Sequence, residues 1–247
     1  MDKALYDQIN AIEDRHWWYI GRRKIIFDQV LRLLQRYEAP RILDIGCGTG
    51  YNLAYLQQHG YTDAVGLDLT FNALQYCRQR QLPQLICGDA ARPPLAPRSF
   101  DVILALDLVE HVEDDTGMLR HLAGLLKPGG RLVIFTPAFQ FLWGLQDEVS
   151  HHFRRYTAGE LRHKISTAGL ALERLTYSNT LLFPAIAAAR LLIRLRGGEK
   201  HTVSENDLHP AWSNGLLTAI FCAEQPLLRV LNFPVGVSLL AIARRPD

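Results

Sequence analysis

Leu43-Asp44-Ile45-Gly46-Cys47-Gly48-Thr49-Gly50 decides the fold. The short apolar run Arg41–Ile45 leads into three alternate glycines, and Tyr51–His59 then reads as a helix closed by Gly60, so the order is strand, tight turn, helix. Glycines at the end of a buried strand let backbone approach a ligand closely and take φ values that other residues avoid. The spacing here is G-x-G-x-G with Tyr51 next, whereas the dinucleotide fingerprint needs G-x-G-x-x-G. An acid, Asp44, lies two residues before the first glycine. The turn therefore suits a ligand with a cationic end better than a pyrophosphate.

The same alternation continues outward. Ala64–Leu69 predicts a second strand and a helix follows to Gln81; Gln84–Cys87 predicts a third strand and Phe100–Leu106 a fourth. Asp114–Leu126 reads as a helix, Lys127-Pro128-Gly129-Gly130 breaks it, and Arg131–Thr136 is a fifth strand. After a loop over Pro137–Tyr156 come a helix at Ala158–Ala168, a sixth strand at Leu170–Tyr177 and a closing strand at Gly236–Ala243. Continuous apolar strands alternating with helices predict an α/β fold, a doubly wound, seven-stranded, mostly parallel sheet covered on both faces.

Two additions flank this core. Ala11–Tyr37 carries an apolar stripe of Ile12, Ile20, Ile25, Ile26, Val30, Leu33 and Leu34 before Pro40 ends it. Near the C-terminus, Leu181–Leu195 and Leu216–Leu231 are apolar helical patterns separated by the polar stretch Gly197–Asp207. The expected organisation is one domain over 1–247, with a helical cap at 1–39, an α/β core at 40–178 and 236–245, and a helical insertion at 179–235.

Composition excludes several classes. The chain of 247 residues carries a formal charge of +2 with a pI near 8.4, and the two signs are mixed along it, so no nucleic-acid partner is expected. Cys47, Cys77, Cys87 and Cys222 form no C-x-x-C pair and read as reduced thiols. Met1–Arg15 is polar and acidic, unlike a secretory signal, and Arg190, Arg194, Glu224, Pro226 and Arg229 interrupt the apolar C-terminal stretches before a membrane span accumulates. The expected location is cytoplasmic.

Two further acids follow the next two strands. Asp68 closes Val65-Gly66-Leu67-Asp68, where a carboxylate can accept both hydroxyls of a ribose. Asp89, in Cys87-Gly88-Asp89-Ala90, offers an acceptor for an exocyclic amine beside a small residue. Three acids after three successive strands describe an adenosine site at the carboxyl edge of the sheet.

From Arg41 to Thr136 the chain resembles the class I S-adenosylmethionine-dependent methyltransferase superfamily, of the methyltransferase type 11 kind. The matching pieces are the glycine turn, Gly66-Leu67-Asp68, Gly88-Asp89-Ala90, Phe100-Asp101-Val102-Ile103, Val109-Glu110-His111-Val112 and Leu125-Leu126-Lys127-Pro128-Gly129-Gly130. The resemblance implies S-adenosyl-L-methionine as cofactor, with Asp44, Gly46, Cys47, Gly48 and Gly50 at its methionine part and Asp68 with Leu69 at the ribose. Asp89 and Ala90 would lie at the adenine, and Leu106 and Asp107 would flank the methionine moiety.

Methyl transfer from a sulfonium is an in-line displacement in which alignment contributes on the order of 7–11 kcal/mol, and an oxygen acceptor also gains from a base in the imidazole pKa range. The sequence offers three candidates: His111 after the fourth strand, near the expected methyl position, and His151 and His152 after the fifth, on the loop expected to roof the acceptor pocket. Asp147, Arg154, Arg155 and Tyr156 of the same loop are substrate candidates, the arginines as a clamp for a phosphate or carboxylate. Adjacent histidines in extended chain point apart and no second ligand cluster has a recognised spacing, so no metal is expected. The Asn/Asp-Pro-Pro-Tyr/Phe motif that many amino-group methyltransferases carry is replaced by Leu106-Asp107-Leu108-Val109, which favours an oxygen acceptor on a small molecule, sugar or lipid.

Glu13-Asp14-Arg15-His16-Trp17-Trp18-Tyr19-Ile20-Gly21-Arg22-Arg23 also resembles the cap helix of methyltransferases found beside sugar and lipid biosynthesis enzymes. By that resemblance Trp17, Trp18 and Arg22 or Arg23 close over the cofactor; plain core packing of the Trp pair is the competing reading. Segment 181–231 reads as a lid, a homodimer face, or a peripheral contact with the inner face of an anionic membrane. Two other functions keep the fold: a non-catalytic cofactor-binding protein, and an NAD-dependent oxidoreductase, against which the glycine spacing argues.

Overall fold

The structure is a computed structural model, described here for residues 3–195 and 210–247. In chain order its helices are α1 (Lys3–Ile12), α2 (Trp17–Leu34), α3 (Tyr51–Gln58), α4 (Phe71–Gln79), α5 (Asp115–Leu125), α6 (Leu145–Val149), α7 (Ala158–Thr167), α8 (Phe183–Leu195), α9 (Ala211–Cys222) and α10 (Glu224–Leu228). The strands are β1 (Ile42–Ile45), β2 (Val65–Asp68), β3 (Gln84–Cys87), β4 (Phe100–Leu106), β5 (Leu126–Pro137), β6 (Ala171–Ser178) and β7 (Ser238–Arg244). They form one sheet in the order β3-β2-β1-β4-β5-β7-β6. Only β7 runs against its neighbours, pairing Val133 with Ile242 on one side and Thr176 with Leu240 on the other.

Alternation along the strands builds a core on each face. Leu43, Ile45, Ile103, Ala105, Leu132 and Ile134 face one layer, against Met118, Leu119 and Leu122 of α5. Ile42, Val102, Leu104, Leu106, Val133 and Phe135 face the other, against Ile26, Val30 and Leu33 of α2 and Leu53 and Leu56 of α3. Each central strand is buried on both sides, which is why its sequence is continuously apolar. The strand order reverses between β1 and β4, so the carboxyl ends of these two strands open a crevice where such sheets bind ligands.

The cap is two helices where sequence periodicity predicted one. His16 divides them: its backbone is extended, and its ring accepts from the Trp18 amide as the N-cap of α2. α1 then folds back over the sheet edge toward α4, bringing Tyr6 to Asp68 and Asn10 to Arg80. The apolar side of α1 is short, with Leu5, Tyr6 and Ile12 buried, and polar residues around them hid it in the sequence.

The insertion packs on the cap. Ile25 of α2 meets Leu182, Phe221 and Leu228, and Gly21 leaves room that a Cβ would take from the Phe221 ring. Arg196 and the stretch 197–207 lie outside the described residues. The loop predicted over Pro137–Tyr156 contains α6 and a single 3-10 turn at Gln140–Leu142.

Candidate active site

One large cavity opens at the carboxyl ends of β1 and β4, with a volume of about 740 Å³. Its floor is the glycine turn, Gly46 to Thr49, with Leu106 and Asp107 beside it. Gly46, Gly48 and Gly50 have φ of +73°, +55° and +80°, the left-handed region glycine occupies without steric cost. A Cβ on Gly48 would meet only the Tyr6 ring at 4.0 Å, so its backbone lies open to a ligand. At Gly50 a Cβ would come within 2.6 Å of Leu82 and 2.7 Å of Cys77 Sγ, so there the requirement is close packing.

Charges surround the floor. Asp44 is 1 % exposed, and its Oδ2 has no hydrogen-bond partner. Burial pushes its carboxyl up to about 7, and Arg22 pulls it back only in part. An unpartnered buried carboxylate oxygen beside an open glycine turn fits a ligand bringing a cationic group. Arg22 pairs with Asp107 at 2.5 Å and lies over the rings of Trp18 and Phe135. Asp107 also has φ of +53°, which holds its carboxylate at the cavity wall.

The ribose and adenine candidates lie beside this cavity. Asp68 accepts from the amides of Gly48 and Thr70, both at 2.9 Å, and from the Tyr6 hydroxyl at 3.3 Å. Asp89 is exposed after β3 and caps the turn through the Ala91 amide. Leu69 is 69 % exposed and Ala90 is buried in the core. The glycine turn is tied to the cap as well: Thr49 donates to Glu13, and Arg80 pairs with that same carboxylate at 2.7 Å.

At the other end the cavity is walled by residues from two distant segments. Glu110 and His111 follow β4; Asp147, His152 and Arg155 come from α6 and the turn after it. The His111 and His152 rings stand edge to face with centroids 4.5 Å apart. Asp147, fully buried, accepts from the Gly144 amide, from His152 Nδ1 at 2.8 Å, and from Arg155 through Nε at 2.8 Å and Nη2 at 2.9 Å. Burial alone would raise its carboxyl, but His152 and Arg155 outweigh it and hold it down at about 2. Burial lowers His111 to about 3, and a ring N–H of His111 is bonded to the Ser150 backbone. Glu110 is fully buried and held well above the usual carboxylate range by desolvation and by Asp107; its Oε2 accepts from Thr136 at 3.0 Å.

The structure thus brings Asp147, His152, Arg155, His111, Trp17 and Trp18 together at one cavity with Gly46, Cys47, Gly48, Leu106 and Asp107. It turns the other loop candidates elsewhere. His151 is exposed with φ of +56°. Arg154 and Tyr156 both bind Asp115, at 2.9 and 2.7 Å, and Tyr156 is 1 % exposed in the core, so the expected arginine pair is split. Arg154 braces α5 while Arg155 braces Asp147. Trp17 packs edge-on against Phe221 and also lines the cavity. Glu13, Tyr6, Arg23 and Arg190 complete the walls; only the neighbours of the Trp pair gave any sign of this, since α1 and α8 reach the site through tertiary packing.

Comparison with known proteins gives the same class. Residues 43–134 match the model of a family described as a methyltransferase domain. The ubiquinone biosynthesis O-methyltransferase of Xanthomonas euvesicatoria pv. vesicatoria is 31% identical over 193 residues, 68% of this chain and 80% of that protein. In three other curated relatives the match spans only 24%, 22% and 17% of the relative's length. Among solved structures, a chain of a Haloferax volcanii complex containing the Trm112 methyltransferase activator superposes with a TM-score of 0.65 at 19% identity, over 99% of this chain and 95% of that one. Phosphoethanolamine N-methyltransferase 2 of Haemonchus contortus, solved with S-adenosyl-L-methionine, gives 0.55 at 20% identity over 89% and 53%.

The fold and the cavity define a Rossmann-like S-adenosylmethionine-binding protein. The chain belongs to the class I S-adenosylmethionine-dependent methyltransferases, and S-adenosyl-L-methionine is its cofactor.

Proposed function

We propose that the protein transfers a methyl group from S-adenosyl-L-methionine to an oxygen atom of a small-molecule or lipid-linked acceptor. The observation that carries this reading is the continuous cavity from the glycine turn to the imidazole pair His111 and His152. The turn at Gly46 and Gly48, with Asp44, Leu106 and Asp107, holds the methionine part; Asp68 holds the ribose and Asp89 the adenine. Bound there, the cofactor supplies an electrophilic methyl group on a positively charged sulfur.

The chain's own residues do the rest. Trp17, Trp18 and Leu142 line a cavity whose far wall carries His111, His152 and Glu110, with one ring nitrogen of each histidine and one Glu110 carboxylate oxygen close together. Asp147 fixes the tautomer and direction of His152. An acceptor O–H placed against His152 can pass it the proton as the oxygen takes the methyl group. Arg155, held by Asp147, and Arg190 line the same cavity and give it a positive wall that favours an acceptor with a carboxylate or phosphate.

The test is release of S-adenosylhomocysteine and transfer of isotopically labelled methyl with a panel of phenols, catechols, carboxylic acids and amines. Turnover with oxygen acceptors and not with amines supports the reading; methylation of amines alone contradicts it.

Exposed side chains favour a lipid-borne acceptor. Leu191, Leu192 and Leu195 of α8, a helix that also lines the cavity, are 54 to 74 % exposed, and Trp212, Leu216, Val230 and Leu231 further along the insertion are 54 to 78 % exposed. No described helix is long and apolar enough to cross a membrane, so the contact is peripheral, on the inner face of an anionic bilayer. Sedimentation with phosphatidylglycerol vesicles, reduced by Trp212→Ser, is the expected result; indifference to such vesicles contradicts it.

A further inference from the structure

We infer that Glu110, His111 and His152 form a binding site for one divalent transition-metal ion of the zinc type, at the acceptor end of the cavity. The fold brings together what the sequence separates. One ring nitrogen from each histidine and one Glu110 carboxylate oxygen lie within 4.8 Å of one another, the span of three ligands around a single ion.

Three independent features of the residues fit ligation. Glu110 Oε1 is fully buried and has no hydrogen-bond partner, although Oε2 of the same carboxylate is held by Thr136. A buried carboxylate oxygen without a partner is costly, and a cation satisfies it. Each ligand is also oriented from behind. Asp147 Oδ1 takes His152 Nδ1, which leaves Nε2 for a metal; the Ser150 backbone takes one ring nitrogen of His111, which leaves the other. A carboxylate or carbonyl behind each ligating imidazole is the arrangement that fixes tautomer and direction at metal sites. Finally, the set of two imidazoles and one carboxylate is that of hydrolytic zinc sites, which keep a position open for water or substrate. Here the open side is the cavity.

This inference rests on the reading of that wall as the acceptor end, and it changes how the wall acts. With an ion in place, the three atoms act through it: an acceptor oxygen enters the open position and is favoured in its deprotonated form, its proton passing to solvent. Asp147 is then a positioning residue for His152.

The experiment uses the full chain, free of an affinity tag, dialysed against a chelator and titrated with Co²⁺ while its visible absorption is recorded. The expected result is one Co²⁺ per chain, displaced by Zn²⁺. His111→Gln and His152→Gln are each expected to weaken binding by at least about 100-fold, and Asp147→Asn by about 10- to 100-fold. Absence of stoichiometric binding to the parent chain, or binding that survives both histidine substitutions, overturns the inference. S-adenosylhomocysteine binding, measured on the same samples by calorimetry, separates the two readings: its presence without Co²⁺ binding removes the metal site and leaves the methyltransferase reading intact.

Discussion

The Tyr6 hydroxyl donates to Oδ1 of Asp68 at 3.3 Å, which places a side chain of the first helix on the carboxylate proposed to hold the ribose. Burial and the Asp68 charge both raise the Tyr6 pKa, so the phenol stays protonated and keeps donating. The other oxygen of Asp68 accepts from the Gly48 amide, so the carboxylate is already oriented by the turn when α1 lies over it.

On that proposal Tyr6 competes with the ribose for Asp68. Tyr6→Phe removes a hydrogen bond to a charged group while keeping the ring, and is expected to tighten S-adenosylhomocysteine binding by about 3- to 10-fold. Calorimetry checks this; weaker binding would mean that the hydroxyl belongs to the bound state.

Gly50 has φ of +80° and no room for a Cβ beside Leu82 and Cys77. Gly50→Ala is expected to cost about 1–2 kcal/mol in backbone strain alone, with overpacking added. Chemical denaturation should show that loss together with weaker cofactor binding, because the same turn carries Gly48. Unchanged stability would contradict the packing described.

Asp115 binds Tyr156, Arg154 and Lys164 while it is 2 % exposed. Asp115→Ala is expected to destabilise the fold by about 3 kcal/mol at neutral pH, the lower end for breaking a buried pair because Arg154 and Lys164 are partly open to solvent. Burial would raise its carboxyl, but the bonds from Lys164 and Tyr156 outweigh burial and lower it. A depressed pKa stabilises the fold above the unfolded value of about 3.9, and that contribution is lost as pH falls through the folded value. The gap between parent and variant in urea should be full at pH 7 and shrink below about pH 4; a gap independent of pH would assign it to packing.

Much of the sheet was legible because its strands are buried on both faces: Phe100–Leu106 is read and found at the same residues. β5 begins at Leu126, five residues before the strand read at Arg131, since Lys127 to Gly130 is an irregularity inside the strand: Leu126 pairs with Phe100 and Arg131 with Val102, and between them the backbone of Gly129 and Gly130 bonds to Arg245. α1 went unread although Leu5, Ile9 and Ile12 recur at helical spacing, because the stripe is short and is surrounded by polar residues that bond to distant partners, such as Asp7 to Tyr76 and Asn10 to Arg80. In the site, the residues that follow strands were legible by position. The loop between β5 and α7 was legible only in part: the sequence offers Arg154 and Arg155 as a pair, yet successive side chains diverge, and only Arg155 reaches Asp147. His111 and His152 were legible singly, and their contact depends on the chain after α6 returning to the 3-10 turn Val109–His111, where the Phe153 amide donates to the Glu110 carbonyl.

Calorimetric titration with S-adenosyl-L-methionine, S-adenosylhomocysteine and NAD, with Asp68→Ala as the control, tests the adenosine-sulfonium site. The expected result is saturable binding of the first two and none of NAD, with Asp68→Ala weakening it by about 10- to 100-fold through loss of charged hydrogen bonds to the ribose. Binding of NAD alone, or affinity indifferent to Asp68, would contradict the account.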